Sequence, residues 1–322
     1  MEIDWAKWVC PILLPISFIW DQIQYWSIII GYYARFWGKS HEERVKSVQD
    51  QVIRWRTEGN GRKMCTARPS WMSVSQQVLG YKDKMYKVRI DLRNVLEIDT
   101  KKMVVHVEPM CTIGFLNRLL VQNGVTLPIV PELDFLTIGG LVMGGGIEST
   151  SHIHGLFQHI CLEYELVTAN GEVTIANLKE NADLYHSVPF SYGTLGFLTR
   201  VTLKLTPYIP YLKLTYRPTY TVEDATEVLD REANRKSGND SVEGIMFTEN
   251  TAVIMTGEFV TEDKVEKDKI NRMGLWYKPW FYRYVKTFLD KGETVEYVPT
   301  LHFHQRHNKP AFWLTHYWLL RS

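Results

Sequence analysis

The stretch from Thr137 to Ser149, TIGGLVMGGGIES, is the most informative part of the 322-residue chain. Five of the eight residues from Gly139 to Gly146 are glycine. Such density lets a backbone approach a ligand closely and turn its N–H groups toward an anion, although glycines that only permit tight packing are an alternative. The stretch is not a G-x-G-x-x-G fingerprint, because Leu141 and Ser149 stand where glycines are required, and no G-K-[ST] follows, which excludes a P-loop.

Length and composition narrow the class of protein. At about 150 residues per domain, the length predicts roughly two domains. With 45% apolar and 23% charged residues, the chain has the composition of a folded protein. Its 37 Lys and Arg residues against 36 Asp and Glu residues give a net charge of +1, which disfavours a nucleic-acid-binding protein. The four cysteines lie far apart without a C-x-x-C pair, which excludes a zinc ribbon and indicates reduced thiols.

The N-terminal segment predicts membrane association. From Val9 to Trp37 the residues are mainly apolar or aromatic, as in segments that enter or lie on a bilayer. Because Lys7 is the one basic residue before this segment and several follow it, the rest of the chain is expected on the cytoplasmic side. A single span, a re-entrant hairpin kinked near Asp21, a helix in the interface and a buried core helix are the alternatives.

Local signals predict helices and strands between residues 40 and 205. A capping box at Ser40 precedes a predicted helix over Arg44–Arg56, and Thr112 caps a second helix over Ile113–Gln122. A strong hairpin signal is centred on Asn170-Gly171. The predicted strands cover Lys63–Thr66, Val88–Leu92, Asn94–Ile98, Met103–Val107, Cys161–Thr168, Glu172–Ile175 and Thr199–Leu205.

Seven motifs in a fixed order resemble the FAD-binding domain of the vanillyl-alcohol-oxidase-type flavoproteins. They are Ile90–Leu92, Leu96–Asp99, Val105–Pro109, Gly124–Pro128, Thr137–Ser149, His154–Ile160 and Glu165–Gly171. An ordered set of this kind is much more specific than any one glycine pattern. The resemblance implies an α+β fold with a PCMH-type FAD-binding domain, in which FAD lies extended between two α+β subdomains.

Within that superfamily, further motifs resemble the delta(24)-sterol reductases. They are Met64–Trp71, Pro131–Asp134, Gly144–Ser149, Gly155–Cys161, Gly193–Phe197, Val253–Gly257, Tyr277–Phe281 and Glu296–Pro299. The N-terminal apolar segment is similar as well, so the resemblance covers nearly the whole chain. Relatives of this kind continue beyond the point that matches Trp313, and the C-terminal domain of this chain is therefore expected to be incomplete.

The resemblance implies that the chain has three parts, and it implies a cellular location. Residues 1–45 are expected to form a hydrophobic membrane anchor with a helix, and residues 46–207 the PCMH-type FAD-binding domain. Residues 208–322 are expected to form an α+β domain for a sterol substrate, apparently truncated, with Pro207 and Pro210 at the boundary. The implied location is the endoplasmic reticulum membrane, with the main domain in the cytoplasm.

The resemblance also implies where FAD binds. Two loops, Thr66–Ser70 and Thr137–Ser149, are expected to hold its pyrophosphate. Ser149 is expected to donate to a phosphate or a ribose, whereas Arg68 and Glu148 have either a binding role or an ordinary surface or structural role. Ile160 is expected to place backbone against the flavin ring, with Gly193 beside it. The predicted FAD-binding residues are Thr66, Ala67, Arg68, Pro69, Ser70, Thr137, Ile138, Gly139, Gly140, Leu141, Val142, Met143, Gly144, Gly145, Gly146, Ile147, Glu148, Ser149, Ile160 and Gly193.

The implied reaction reduces the side-chain double bond between carbons 24 and 25 of a sterol, with NADPH as hydride donor and FAD as cofactor. FAD is expected to bind non-covalently, because the first loop holds no histidine or cysteine that could bond to the flavin. Cys65 lies just before the loop and not within it. An acid must protonate the alkene, and the tyrosines and histidines after Tyr208 are candidates among which the sequence does not choose. The other implied partners are the sterol and membrane lipid, through residues 9–37, and a homo-oligomer is left open.

Two other functions and one other kind of site are alternatives. A truncated relative that binds sterol or a full-length partner without catalysis is one alternative, and an FAD-dependent oxidase of another substrate is the second. The histidine-rich run from His302 to His307 invites a metal site, with His302 and His304 sharing one face of a predicted strand. The resemblance implies no metal there, so none is expected.

Overall fold

The computed structural model describes residues 38–69, 80–275 and 278–308, together with five single positions between residues 19 and 30. Apart from those positions, the predicted anchor over residues 9–37 lies outside the described residues. Ser70 of the first predicted loop and the aromatic residues after position 308 lie outside them too. Among the described residues, no helix has both the length and the apolar character that crossing a bilayer requires.

The first element is helix α1, His41–Glu58, whose start has the predicted capping box. The Ser40 hydroxyl accepts from the Glu43 N–H, and the Glu43 carboxylate accepts from the Ser40 N–H. The helix buries Val45, Val48 and Val52, whose spacing places them on one face. This face packs in a small core next to a parallel pair of strands, β1 (Met64–Thr66) and β2 (Tyr86–Val88).

A five-stranded antiparallel sheet forms the centre of the first domain, in the order β3-β4-β8-β6-β7. One long helix, α2, is capped by Thr112 as predicted, because the Thr112 hydroxyl accepts from the Phe115 N–H. The elements are β3 (Val95–Asp99), β4 (Val104–Val107), α2 (Ile113–Gln122), β5 (Val125–Thr126), α3 (Ile138–Gly144), α4 (Ser151–His154), β6 (Cys161–Val167), β7 (Val173–Asn177), α5 (Ala182–Ser187), β8 (Phe197–Lys204) and β9 (Thr206–Pro207).

The core of this domain lies between the sheet and the two helices that follow β4. Helix α2 buries Phe115, Leu116, Leu119 and Leu120 on one face, and α3 buries Leu141 with its neighbours Ile138 and Val142. Burying such side chains stabilises a fold by about 1.5–3 kcal/mol each. Packing of α3 against the sheet thereby fixes the position of the glycine-rich stretch.

A second, four-stranded antiparallel sheet follows, in the order β11-β12-β10-β13. Its core includes Tyr216, whose ring stacks on Phe288 with 4.0 Å between centroids. The elements are β10 (Tyr211–Thr219), α6 (Val222–Ala233), β11 (Ser241–Met246), β12 (Ala252–Val260), α7 (Phe281–Lys286), α8 (Phe288–Lys291), β13 (Thr294–Pro299) and α9 (Thr300–His304).

Most local predictions are confirmed, and two are corrected. Helix α2 has the predicted bounds, and the hairpin of β6 and β7 turns at Asn170-Gly171. The predicted strand Val88–Leu92 is wrong in position, because β2 ends at Val88 where its pairing with β1 ends. His302 and His304 lie on helix α9 rather than on a strand. Residues two apart on a helix point to different faces, so these two histidines do not share one.

Candidate functional site

The two loops predicted to hold the FAD pyrophosphate meet in the structure. The Arg68 guanidinium reaches the Thr137 hydroxyl, at 3.4 Å between Nη1 and Oγ1. Lys82, which the sequence did not single out, supports the first loop through hydrogen bonds. Its ammonium donates to the Thr66 carbonyl and hydroxyl, at 3.1 Å each, and to the Arg68 carbonyl at 2.8 Å. The contact between the two loops therefore places the Arg68 guanidinium beside the glycine-rich stretch.

Arg68 is a partly buried cation without a countercharge among the described residues. Burial lowers the pKa of its guanidinium, and the positive charge of Arg93 lowers it further. Within residues 38–69, 80–275 and 278–308, no carboxylate lies within ion-pair distance of Arg68, and its buried Nε has no hydrogen-bond partner. A guanidinium in this state favours an incoming anion with two acceptor oxygens, such as a phosphate.

The start of the glycine-rich stretch is occupied by contacts within the protein. The N–H groups of Ile138, Gly139 and Gly140 donate to the carbonyls of Cys111 and Pro109 and to the Thr137 hydroxyl. A Cβ on Gly139 would lie 2.9 Å from the Pro109 Cβ. These residues form the first turn of α3, so the packing interpretation of the glycines holds for this part of the stretch.

Two of the later predicted glycines face open space, whereas Gly145 and Gly146 are closely packed. A Cβ on Gly144 would meet no atom within 4 Å, and the same is true of Gly193, whose φ is +75°. The loop that carries Gly193 is tied to the end of α3, because the N–H groups of Phe190 and Tyr192 donate to the carbonyls of Val142 and Met143. Phe190 and Tyr192 also have positive φ, which is costly for residues with a side chain. The structure thus brings the predicted Gly193 next to the predicted stretch.

The end of the stretch presents two buried polar atoms without partners among the described residues. They are the Glu148 Oε2 and the Ser149 Oγ, whereas buried polar atoms in proteins are generally hydrogen-bonded. Both residues line a cavity of about 260 Å³, whose lining also includes Thr206 of β9 and Phe259 of β12. A ligand with neighbouring hydroxyls would satisfy both atoms, and FAD carries such hydroxyls. Together with Arg68, this donor set fits the cofactor that the motifs imply.

Other predicted residues have simpler positions. Ile160 is 2% exposed at the end of a 3₁₀ turn, so only its backbone is open to a role in binding. Ala67, Pro69 and Gly140 are exposed, whereas Ile147 carries an apolar side chain that is 74% exposed. Burial raises the pKa of the Cys65 thiol, although Lys82 opposes this. A protonated thiol is a poor nucleophile, which agrees with a non-covalent cofactor.

Arg306 links the predicted site to the second sheet, and sequence reasoning missed it. Its guanidinium pairs with Glu148 Oε1 at 2.6 Å and with Glu243 Oε2 at 3.0 Å. Burial alone would raise the pKa of Glu243, but Arg306 and His307 lower it to about 2. The run His302–His307 drew notice for its histidines, yet its arginine makes the contact with the glycine-rich stretch.

The histidines of this run have polar partners. His302 Nδ1 accepts from the Gly274 N–H at 3.3 Å, and His304 Nδ1 lies 3.2 Å from Asn117 Nδ2. Burial and the charge of Arg306 lower the pKa of His304 to about 3, so its ring is neutral near pH 7. His307 forms a group with Glu243 and Glu132 whose ligand atoms lie within 4.8 Å of one another. The expectation that no metal binds at this histidine-rich run stays a prediction.

A larger cavity, of about 470 Å³, lies in the second domain beside Tyr284 and Glu296. The Glu296 carboxylate accepts from the hydroxyls of Tyr284 and Tyr216 and from the Asn271 amide. Burial and this carboxylate raise the pKa of both phenols. None of the residues lining the cavity belongs to the predicted FAD loops.

Comparison with known proteins first gives the class. Residues 44–177 match the model of a family described as "FAD binding domain". That range contains most of α1, both predicted pyrophosphate loops and the strands up to β7. The chain therefore carries an FAD-binding domain of the kind found in flavoproteins, and its mixed helices and strands fit the expected α+β fold.

The particular relatives are more specific. The chain is 44% identical to the "Delta(24)-sterol reductase" of Macaca fascicularis and 43% identical to that of Homo sapiens, each over 95% of this chain and 60% of the relative. It is also 37% identical to the "Delta(24)-sterol reductase homolog" of Caenorhabditis elegans, over 95% of this chain and 61% of the relative. The predicted resemblance to the delta(24)-sterol reductases is thereby confirmed. The chain spans about 60% of the length of the curated relatives it matches.

Proposed function

We propose that this chain is an FAD-dependent oxidoreductase that reduces the double bond between carbons 24 and 25 of a sterol side chain, with NADPH as hydride donor. The observation that carries the proposal is the 43–44% identity to delta(24)-sterol reductases over 95% of the chain. Arg68, the unpartnered Ser149 hydroxyl and the open positions at Gly144 and Gly193 support it, because they give the FAD-binding domain a donor set that suits its cofactor.

The residues divide the work of binding between charge and shape. The Arg68 guanidinium, held beside Thr137, would face the negative charge of the pyrophosphate. Ser149 and Glu148 would hold a hydroxyl of the cofactor, the first as donor and the second as acceptor. Gly144 and Gly193 leave space for close approach. FAD, when bound, supplies the hydride transfer between the nicotinamide donor and the alkene.

The substrate and the location are part of the same proposal. A sterol is apolar and partitions into membranes, so an anchor over residues 9–37 would keep the domain near its substrate. We place the main domain on the cytoplasmic side of the endoplasmic reticulum membrane, in line with the basic residues that follow the segment. The chain must also supply a proton to the alkene carbon that does not receive hydride.

The test uses the full chain purified in detergent. Its visible absorption is recorded without oxygen, before and after NADPH, and a sterol with the 24,25 double bond is then added and its product measured by mass spectrometry. We expect flavin bands that bleach with NADPH and a product heavier by two hydrogens. Absence of flavin after addition of FAD would refute the proposal in favour of a sterol- or partner-binding protein. Oxygen consumption without NADPH on a hydroxylated substrate would point to an oxidase.

A further inference from the structure

Arg306 is buried where the end of the glycine-rich stretch meets the second sheet, and acceptors surround it. It is 3% exposed, and its Nη1 donates to the Phe303 carbonyl at 3.0 Å. Its other nitrogens pair with Glu148 of the first domain and Glu243 of the second, at 2.6 and 3.0 Å. Its guanidinium also lies 4.1 Å from the centre of the Phe303 ring. One side chain therefore ties the segment after β13 to the end of the glycine-rich stretch and to the second sheet.

The contact with Glu148 reaches the end of the glycine-rich stretch directly. Glu148 Oε1 accepts from Arg306 and also from the N–H of Ser149, at 2.7 Å. That pair of bonds fixes the carboxylate, so that its second oxygen and the Ser149 hydroxyl both stay unpartnered next to the cavity. The Val242 N–H of β11 donates to the Ser149 carbonyl at 2.8 Å, which fixes the same point from the second sheet.

The contact between Arg306 and Glu148 is difficult to replace, because both side chains are charged and buried. Removing one member of a buried ion pair leaves the other charge without compensation, which is strongly unfavourable. If Arg306 were absent, Glu148 would have to turn toward water or take up a proton, and either change would alter the two unpartnered oxygens. Lys at this position would keep one charge but lacks the planar fork that spans two carboxylates.

We propose that Arg306 is a positioning residue for the FAD site: it holds Glu148, and through it Ser149, in the geometry that receives the cofactor. The inference rests on the proposed placement of FAD along Thr137–Ser149. It makes FAD binding and the docking of residues 300–308 two coupled events. Because coupling between two binding events is reciprocal, each must strengthen the other.

The first measurement is the FAD dissociation constant of the apoprotein, from flavin fluorescence. Arg306→Met is expected to weaken binding about tenfold or more, and Glu148→Gln by a similar factor. The double variant is expected to be no weaker than either single one, since both act through one contact. Arg217→Met is the matched control, because Arg217 is a half-buried arginine of the second sheet that contacts Thr256 and Glu293.

The second measurement separates positioning from general stability. Hydrogen exchange of the peptide covering residues 300–308 is followed with and without FAD. In the wild type we expect FAD to slow exchange there, and in Glu148→Gln we expect this effect to disappear. A residue that only stabilises the fold would change the basal exchange rate and the melting temperature but not the response to FAD.

Milder variants guard against loss of folding. Arg306→Lys should bind FAD with an affinity between those of the wild type and Glu148→Gln, and Glu243→Gln, which leaves the Arg306–Glu148 pair in place, should lose less than Glu148→Gln. Unchanged FAD affinity in Arg306→Lys and Glu148→Gln, or a loss equal to that of Arg217→Met, would overturn the inference. Failure of the wild type to bind FAD would instead refute the proposed function.

Discussion

A partly buried histidine at the start of α1 gives the fold a predictable dependence on pH. His41 Nδ1 lies 2.7 Å from Glu108 and its Nε2 lies 3.1 Å from Glu165, so the ring bridges two carboxylates of the first domain. Arg44 also pairs with Glu108, at 2.7 Å. Protonated histidine donates from both nitrogens and suits this position better than the neutral ring. We therefore consider the substitution His41→Gln, which keeps polarity but cannot carry charge.

The sign and size of the effect follow from the pKa of His41. Burial alone would lower it, but the hydrogen bonds and charges of Glu108 and Glu165 raise it from 6.5 to about 9. A raised pKa contributes stability that is fully present below about pH 6.5 and is lost as the pH rises through about 9. The full shift corresponds to about 3 kcal/mol, which partial contact of the ring with solvent reduces to about 2 kcal/mol.

The assay is denaturant unfolding of the wild type and His41→Gln at pH 6 and pH 9.5. At pH 6 the variant should lose about 2 kcal/mol of the free energy of unfolding, and at pH 9.5 much less than 1 kcal/mol. His186→Gln, which changes an exposed histidine of the same domain, is the control and should show no such difference. An equal loss at both pH values would refute the reasoning, because a neutral histidine would then account for the stabilisation.

Two further predictions concern the cofactor site. Arg68→Met should weaken FAD binding about 10- to 100-fold, the loss expected for a charge-assisted contact, in a fluorescence titration of the apoprotein. Its melting temperature should not fall, because Arg68 has no carboxylate partner among the described residues; a drop without loss of FAD affinity would contradict the assigned role. Cys65→Ser should leave the flavin content unchanged, and acid precipitation should release all flavin from wild type and variant alike. Flavin that stays with the precipitated wild type but not with the variant would show a covalent link.

The local elements could be predicted from the sequence because their signals act over a few residues. Thr112 and the apolar spacing of α2 gave its bounds, and Asn170-Gly171 gave the turn between β6 and β7. The strand ending at Val88 was harder to predict, because it depends on pairing with Met64–Thr66. The prediction of a strand at helix α9 was wrong because phenylalanine is enriched in strands and histidine is a weak helix former.

The site was partly predictable for the same reason. Motifs indicated both predicted FAD loops, and the structure brings Arg68 to Thr137 and the loop of Gly193 to the end of α3. No pattern in the sequence indicated that Lys82 supports the first loop, since a lysine near a loop is ordinary. It also left open whether Glu148 binds or supports, and the ion pair with Arg306 shows a supporting contact.

The sequence by itself determined the class of protein, because seven ordered motifs and a family resemblance can be recognised without knowledge of any interatomic distance. It determined most helices and turns too, through caps and periodicity within about four residues. Only the tertiary structure decided which charged side chains, far apart in the sequence, lie in contact with each other. Glu148 and Arg306 lie 158 residues apart in the chain, and His41 and Glu165 lie 124 apart. Such pairs form because two sheets and a helix pack in one arrangement, and packing depends on the whole core rather than on a local pattern.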